Sequence, residues 1–218
     1  RVRSSAALDV YKRQALYIET LINHHSTIMD KYDPEKKIGL ICDEWGTWFT
    51  CEPGTNPGFL YQQSTMRDAL VAGLSLNIFN KHCDRVKMAN IAQLINVLQA
   101  VILTDGPRML RTPTYHVFHM YKYHQDADLV ESYLDGVETI GEEKEYMVPS
   151  LQESVSIDKE GILTITLNNL SVDKDEPVEI TFAECQTKEV TAAILNNEMH
   201  AYNTCLLYTS PSPRDRSV

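Results

Sequence analysis

The sequence is short of several things, and each shortage removes a class of function. No apolar run in the 218 residues approaches the roughly 20 consecutive residues that a membrane-spanning helix needs. Basic residues are outnumbered, 20 Lys and Arg against 30 Asp and Glu for a formal charge of −10, which argues against a nucleic acid or other polyanion as partner. Cysteine is sparse. Cys42, Cys51, Cys83 and Cys185 lie far apart with no paired metal-ligand spacing, a distribution that suits reduced thiols in a cytoplasm better than a disulfide framework. There is no internal repeat, and outside the two ends there is no low-complexity tract.

The two ends themselves read as foreign to the rest. Asp9-Val10-Tyr11-Lys12-Arg13-Gln14 can be encoded by GAT GTG TAT AAG AGA CAG, and Cys205-Leu206-Leu207-Tyr208-Thr209-Ser210 by TGT CTC TTA TAC ACA TCT. Over most of their length these strings are reverse complements, as the two ends of a read flanked by one inserted DNA sequence would be. Both resemble translated transposon adapters used in DNA sequencing, so residues 1–14 and 205–218 are expected to be non-native and are set aside from fold reasoning. The native part is then residues 15–204, a piece of a reading frame whose start and stop are unseen, and the lack of a leader says nothing about secretion. Setting the ends aside removes six basic and two acidic residues and leaves 14 against 28, a formal charge of −14.

Within the native part the patterning changes near residue 125. Before it, helical and strand signals alternate. Residues 15–32 place Leu16, Ile18, Leu21, Ile22, Ile28 and Met29 at helical spacing and stop at Asp33-Pro34; residues 38–42 form a short apolar run; and a Gly- and Pro-rich loop over 51–58 leads to a helix over 64–80. That helix would pack through Met66, Ala69, Leu70, Gly73, Leu74 and Leu76. A strand over 84–88, an apolar segment over 91–98 and a helix over 112–124 behind Pro113 complete this half. Helix, strand, loop, helix, strand is the cadence of a parallel α/β sheet. After residue 126 the period becomes two. Residues 163–167 and 178–182 alternate cleanly, residues 190–195 predict a third strand, and Asn168-Asn169 and residues 173–177 supply turns, as in an antiparallel sandwich with one wet face.

The densest chemical signal is Cys42-Asp43-Glu44-Trp45-Gly46-Thr47-Trp48. An apolar run of this length predicts a strand buried on both faces, and acidic residues at the carboxyl end of such a strand are where barrel enzymes keep their chemistry. Spacing alone leaves open a strand that simply exits into a polar loop.

Three blocks in order resemble one family. Asp43-Glu44-Trp45-Gly46-Thr47-Trp48, then Asp68-Ala69-Leu70-Val71-Ala72-Gly73, then Asp84-Arg85-Val86-Lys87-Met88-Ala89-Asn90-Ile91-Ala92-Gln93-Leu94-Ile95-Asn96-Val97 resemble the C-terminal half of the α-L-arabinofuranosidases of glycoside hydrolase family 51. The likeness runs through essentially all of residues 15–204, and Ala201-Tyr202-Asn203-Thr204 resembles a late sandwich strand. The resemblance implies about strands seven and eight of a (β/α)8 barrel (residues 15–125) followed by part of a jelly-roll-like β-sandwich (residues 126–204). It also implies hydrolysis, with retention, of non-reducing terminal α-L-arabinofuranosyl groups on arabinose-containing oligosaccharides, with no cofactor and in a homo-oligomer.

Position by position, the resemblance makes Glu44 the nucleophile, since an ionised carboxylate can attack the anomeric carbon and form an ester that water later cleaves. The acid/base carboxyl, about 5 Å away in a retaining enzyme, is expected upstream of residue 15. Asp43 is a poor substitute, because adjacent strand residues point to opposite faces. The chain alone is therefore expected to be inactive. The resemblance also makes Gln93 a sugar contact, where an amide both donates and accepts, against the alternative of a solvent-facing or capping amide. It makes Trp48 a stacking wall for the sugar, against core packing, and leaves Trp45 structural. The family often has Asn where Gly46 stands, so a hydrogen bond from that side chain is in doubt. A different class, a non-catalytic carbohydrate-binding or assembly module, also fits a sandwich and a partial barrel lacking the acid.

The remaining candidates read as structural. His24 and His25 would diverge on a helix, and His116 and His119 share a face without a third ligand, so no metal site is expected. His82-Cys83-Asp84 suggests a thiol nucleophile, but neighbours in sequence seldom face one another. Glu142-Glu143-Lys144-Glu145 is a solvated charge run.

Overall fold

The structure is a computed structural model that describes residues 2–141, 147–171, 174–183 and 187–203, with side chains described from residue 11 onward. The charged segment 142–145 and Cys185 lie outside the described residues. Helix α1 spans Val2–Tyr32. It runs without interruption from the segment read as foreign into residue 15 and beyond, because nothing between them is glycine or proline. It stops where the sequence predicts. Pro34 disfavours helical backbone at Asp33, whose carboxylate accepts hydrogen bonds from the Lys37 and Ile38 amides at 3.1 and 2.8 Å.

Strand β1 (Leu40–Trp45), helix α2 (Met66–Lys81) and strand β2 (Val86–Ile91) form a parallel βαβ unit, with β1 paired directly to β2. Both strands lie about two residues later than the apolar runs suggest, so Asp43 and Glu44 fall inside β1 rather than beyond it. The expectation of burial on both faces is not met: Ile41 is 47 % exposed and Ile38 and Met88 are exposed with it. Among the described residues the helices pack on one face of this pair, where Leu40, Cys42, Trp45 and Val86 join the core, and no layer covers the other. Near the other end of the unit, the buried Arg85 guanidinium binds Asp30, the Asp33 carboxylate at 2.8 Å and the Ile38 carbonyl at 2.9 Å, joining the end of α1 to the start of both strands.

Helix α2 holds the centre of the core. Met66, Ala69, Ala72, Leu74, Ile78 and Phe79 are buried against Ile22 of α1, Trp45 of β1, Val86 of β2 and Val117 of helix α3 (Pro113–Tyr121). Leu70 and Leu76, expected on the same face, are only half-buried. The first amides of α2 donate to the chain's far end, Met66 to the Ala201 carbonyl and Arg67 to that of Met199, each at 3.0 Å.

An antiparallel hairpin of β3 (Ile102–Asp105) and β4 (Arg108–Arg111) precedes α3. No strand is expected here from the sequence pattern, although Asp105-Gly106 is a strong turn signal and Gly106 takes the positive φ of 56° that such a turn requires. Beyond α3, β5 (Asp128–Leu129), β8 (Leu151–Ile157) and β9 (Leu163–Asn169) form one antiparallel sheet in the order β5-β8-β9, and β6 (Thr139–Ile140) pairs with β7 (Val148–Pro149). A strand does form over 163–167, but its faces are the reverse of those the alternation predicts: Thr166 is buried and Leu167 exposed, because the inner face meets hydrogen-bonding partners on α2 and β8 rather than an apolar layer. Residues 178–182 and 190–195 form no strand, and neither do 201–203, while Thr204 lies outside the described residues. Alternation supplies no partner, and Val178, Ile180, Val190 and Ile194 remain exposed.

The sheet meets α2 and α3 through a buried polar cluster. Asn77 of α2 accepts hydrogen bonds from Tyr121, Ser154 and Thr166 at 2.8, 2.9 and 2.8 Å, and donates to Gln152 at 3.3 Å. His124 lies between the Ser156 and Thr166 hydroxyls at 2.7 and 3.2 Å. Among the described residues no helix is long and apolar enough to cross a membrane.

Candidate active site

The carboxyl ends of β1 and β2 lie side by side, because the two strands are parallel and Trp45 pairs with Ile91. Glu44 is the penultimate residue of β1, and Gln93 follows β2 by two residues; both are exposed. The fold therefore brings this carboxylate and this amide to one rim. An amide beside a carboxylate can orient a sugar hydroxyl while the carboxylate attacks.

The register explains how Glu44 is presented. Cys42 pairs with Ala89 and Trp45 with Ile91, so β1 carries one more residue than β2 across this interval, a bulge at Asp43 and Glu44. Bulges re-aim side chains and recur beside active sites. Strict alternation does not hold here, and Asp43 and Glu44 are both exposed. Beneath them the half-buried Cys42 thiol donates to the Glu44 carbonyl at 3.7 Å, and burial pushes its pKa up, which keeps it a thiol rather than a competing nucleophile.

Trp45 is structural, as the sequence suggests: it is buried and packs against Phe79 and Phe118 with ring centroids 5.5 and 6.0 Å away. Trp48 is 64 % exposed and not part of the core. It borders a separate cleft of about 380 Å³ with Glu52, Gln62, Gln63 and Arg67, closed on one side by Tyr11, and neither Glu44 nor Gln93 lines that cleft. Arg67 there lies 3.6 Å over the Phe49 ring.

The loop leaving β1 is fixed by two buried glutamines that the sequence reading did not single out. Gln99 accepts from the Thr47 amide at 2.9 Å and donates to the Asp68 carbonyl at 2.7 Å. Gln62 accepts from the Phe49 amide at 2.8 Å and donates to the Thr47 carbonyl at 3.2 Å. Their partners are separated from them by 13 to 52 residues, so no local pattern could have marked them.

The other candidates stand elsewhere. His82, Cys83 and Asp84 sit between α2 and β2, at the end of the sheet opposite Glu44; His82 bonds Glu19 at 3.1 Å and Asp84 pairs with Lys36. Tyr115 lies against both His116 and His119. Among the described residues no group of three or more His, Cys, Asp or Glu side chains could hold a metal.

The α-L-arabinofuranosidase C-terminal domain matches residues 43–217. An intracellular exo-α-L-arabinofuranosidase of Bacteroides ovatus is 45 % identical over 192 residues, which cover 88 % of this chain and 37 % of that protein. The crystal structure of the family 51 arabinofuranosidase from Xanthomonas axonopodis pv. citri superposes with a TM-score of 0.69 at 51 % identity, over 73 % of this chain and 32 % of that one. A family 51 α-L-arabinofuranosidase from Bifidobacterium longum gives 0.67 at 25 % identity, over 79 % and 36 %. The chain thus spans about a third of the length of these relatives. β1, α2 and β2 are the end of a (β/α)8 barrel, the sheet that follows is part of a β-sandwich, and the chain belongs to the α-L-arabinofuranosidases of glycoside hydrolase family 51.

Proposed function

We propose that residues 15–204 come from a retaining exo-α-L-arabinofuranosidase acting on arabinose-decorated oligosaccharides of plant cell walls, with Glu44 as its nucleophile. The observation that carries the reading is the exposed Glu44 carboxylate on a bulge at the carboxyl end of a parallel strand, beside the end of the strand that leads to Gln93. Glu44 attacks the anomeric carbon and forms a glycosyl ester. A second carboxyl, supplied from upstream of residue 15, protonates the leaving oxygen and then activates the water that cleaves the ester. Gln93 binds a sugar hydroxyl, while Trp48, on the separate cleft, is not assigned to this sugar. The chain by itself, lacking the acid/base, is inactive. An intracellular setting, the one named for the Bacteroides ovatus protein, suits the spaced cysteines.

The test uses the complete protein. Glu44→Ala abolishes turnover of an aryl α-L-arabinofuranoside, and retained activity refutes the nucleophile assignment. The DNA upstream of codon 15 separates this enzyme from a binding or assembly module: an open frame with an Asn-Glu pair after a strand pattern supports the enzyme, whereas a stop codon there sinks it.

A further inference from the structure

We infer that Gln99 is a positioning residue for Glu44, a role that rests on the reading of Glu44 as nucleophile. Three hydrogen bonds link the two strand ends into a ring. The Ala92 amide donates to the Trp45 carbonyl at 2.8 Å, the Gln99 amide donates to the Ala92 carbonyl at 3.0 Å, and the Thr47 amide donates to Gln99 Oε1 at 2.9 Å. The ring therefore ties the residues that follow Glu44 (Trp45 and Thr47) to the residue that precedes Gln93 (Ala92). Gln99 Nε2 points the other way, donating to the Asp68 carbonyl at 2.7 Å and the Thr114 hydroxyl at 3.3 Å, which anchors the ring to the starts of α2 and α3.

Only an amide of this length meets these demands. Its oxygen faces an N–H and its nitrogen faces a carbonyl and a hydroxyl, and at 0 % exposure no water replaces either partner. A carboxylate would set an oxygen against the Asp68 carbonyl, and a hydrocarbon would leave the Thr47 amide unpaired. Gly46 makes the approach possible: it adopts a φ of 137°, and a Cβ there would lie 3.2 Å from Gln99 Oε1. The two strand ends carry the attacking and the orienting group, so loosening the ring moves one against the other, and small misplacements of reacting groups are costly in rate.

The test is single-turnover release of dinitrophenolate from a dinitrophenyl α-L-arabinofuranoside, with the complete enzyme in saturating excess over substrate. Under these conditions the rate constant reports the geometry of the folded molecules, and a misfolded fraction does not change it. Gln99→Glu and the shape-preserving Gln99→Met lower that rate constant by about ten- to a hundredfold. A wild-type rate constant in whichever of the two variants folds overturns the proposal. Glu44→Ala is the control. If it is inert while the Gln99 variants react at the wild-type rate, only the positioning role fails; if it reacts at the wild-type rate, the nucleophile reading fails and this role with it.

Discussion

The Thr47 hydroxyl donates to the Asp68 carboxylate across 2.6 Å, with both side chains buried. Thr47 stands three residues beyond Glu44, and Asp68 stands in the first turn of α2. The other oxygen of Asp68 accepts from the Thr65 amide at 2.8 Å, so one carboxylate caps the helix and fixes the exit of the strand. The second sequence block that resembles the family begins at this residue, which gives it a physical reason to be there.

Removing that carboxylate strips the hydrogen bonds from the Thr47 hydroxyl and from the Thr65 amide and hydroxyl, together with the Arg67 ion pair, from a dry site. Asp68→Ala is expected to destabilise the complete protein by about 3 kcal/mol. The change reads out as a lower urea midpoint with an unchanged slope, and an unshifted midpoint would remove Asp68 from any structural role.

Gly46 is expected to tolerate no side chain. At a φ of 137° a Cβ is strained by the backbone alone, and it would also crowd Gln99 Oε1. Gly46→Ala should cost about 1–3 kcal/mol, seen in the same urea experiment.

How much of this was legible in sequence depends on the range of the interaction. The end of α1 at Tyr32, the cap and start of α3 at Thr112 and Pro113, and the extended run of β9 are local, and the residues that cause them are neighbours. Glu44 was legible as a carboxylate near the end of an apolar run. The bulge that presents it was not, because it depends on how β1 and β2 are registered. The Gln99 ring was invisible for the same reason: a polar residue in an irregular segment carries no periodic signal, and all its partners arrive by folding. Residues 178–182 are the converse case, a clean local alternation for which no ladder forms.

The junction between the barrel part and the sheet is expected to be sensitive to acid through His124. Burial between α3, β8 and β9 lowers the pKa of His124 below its usual 6.5, so the folded state favours the neutral ring. The stability from this group is complete above about pH 6.5, the unfolded value, and is lost as the pH falls through that value toward the depressed one in the fold. Thermal midpoints of the complete protein should therefore drop below pH 6.5 more steeply than in His124→Gln, whose amide cannot titrate. Parallel pH profiles for the two proteins would exclude His124 as the cause.

The isolated chain is expected to be aggregation-prone or partly molten. Among the described residues β1 and β2 form a parallel pair with no further strand on either side, and such a pair is marginal without a covering layer. Ile38, Ile41 and Met88 stay exposed on it, as do Leu94 and Ile95 just beyond β2. These side chains would be enclosed only if the remaining barrel strands were supplied. The α2 core and the Asn77 cluster should keep helical content in the fragment, so its far-ultraviolet circular dichroism is expected to be native-like while a hydrophobic dye binds strongly. A single cooperative thermal transition without dye binding would contradict this, and would mean that the pair of strands and its helices hold together without the rest of the barrel.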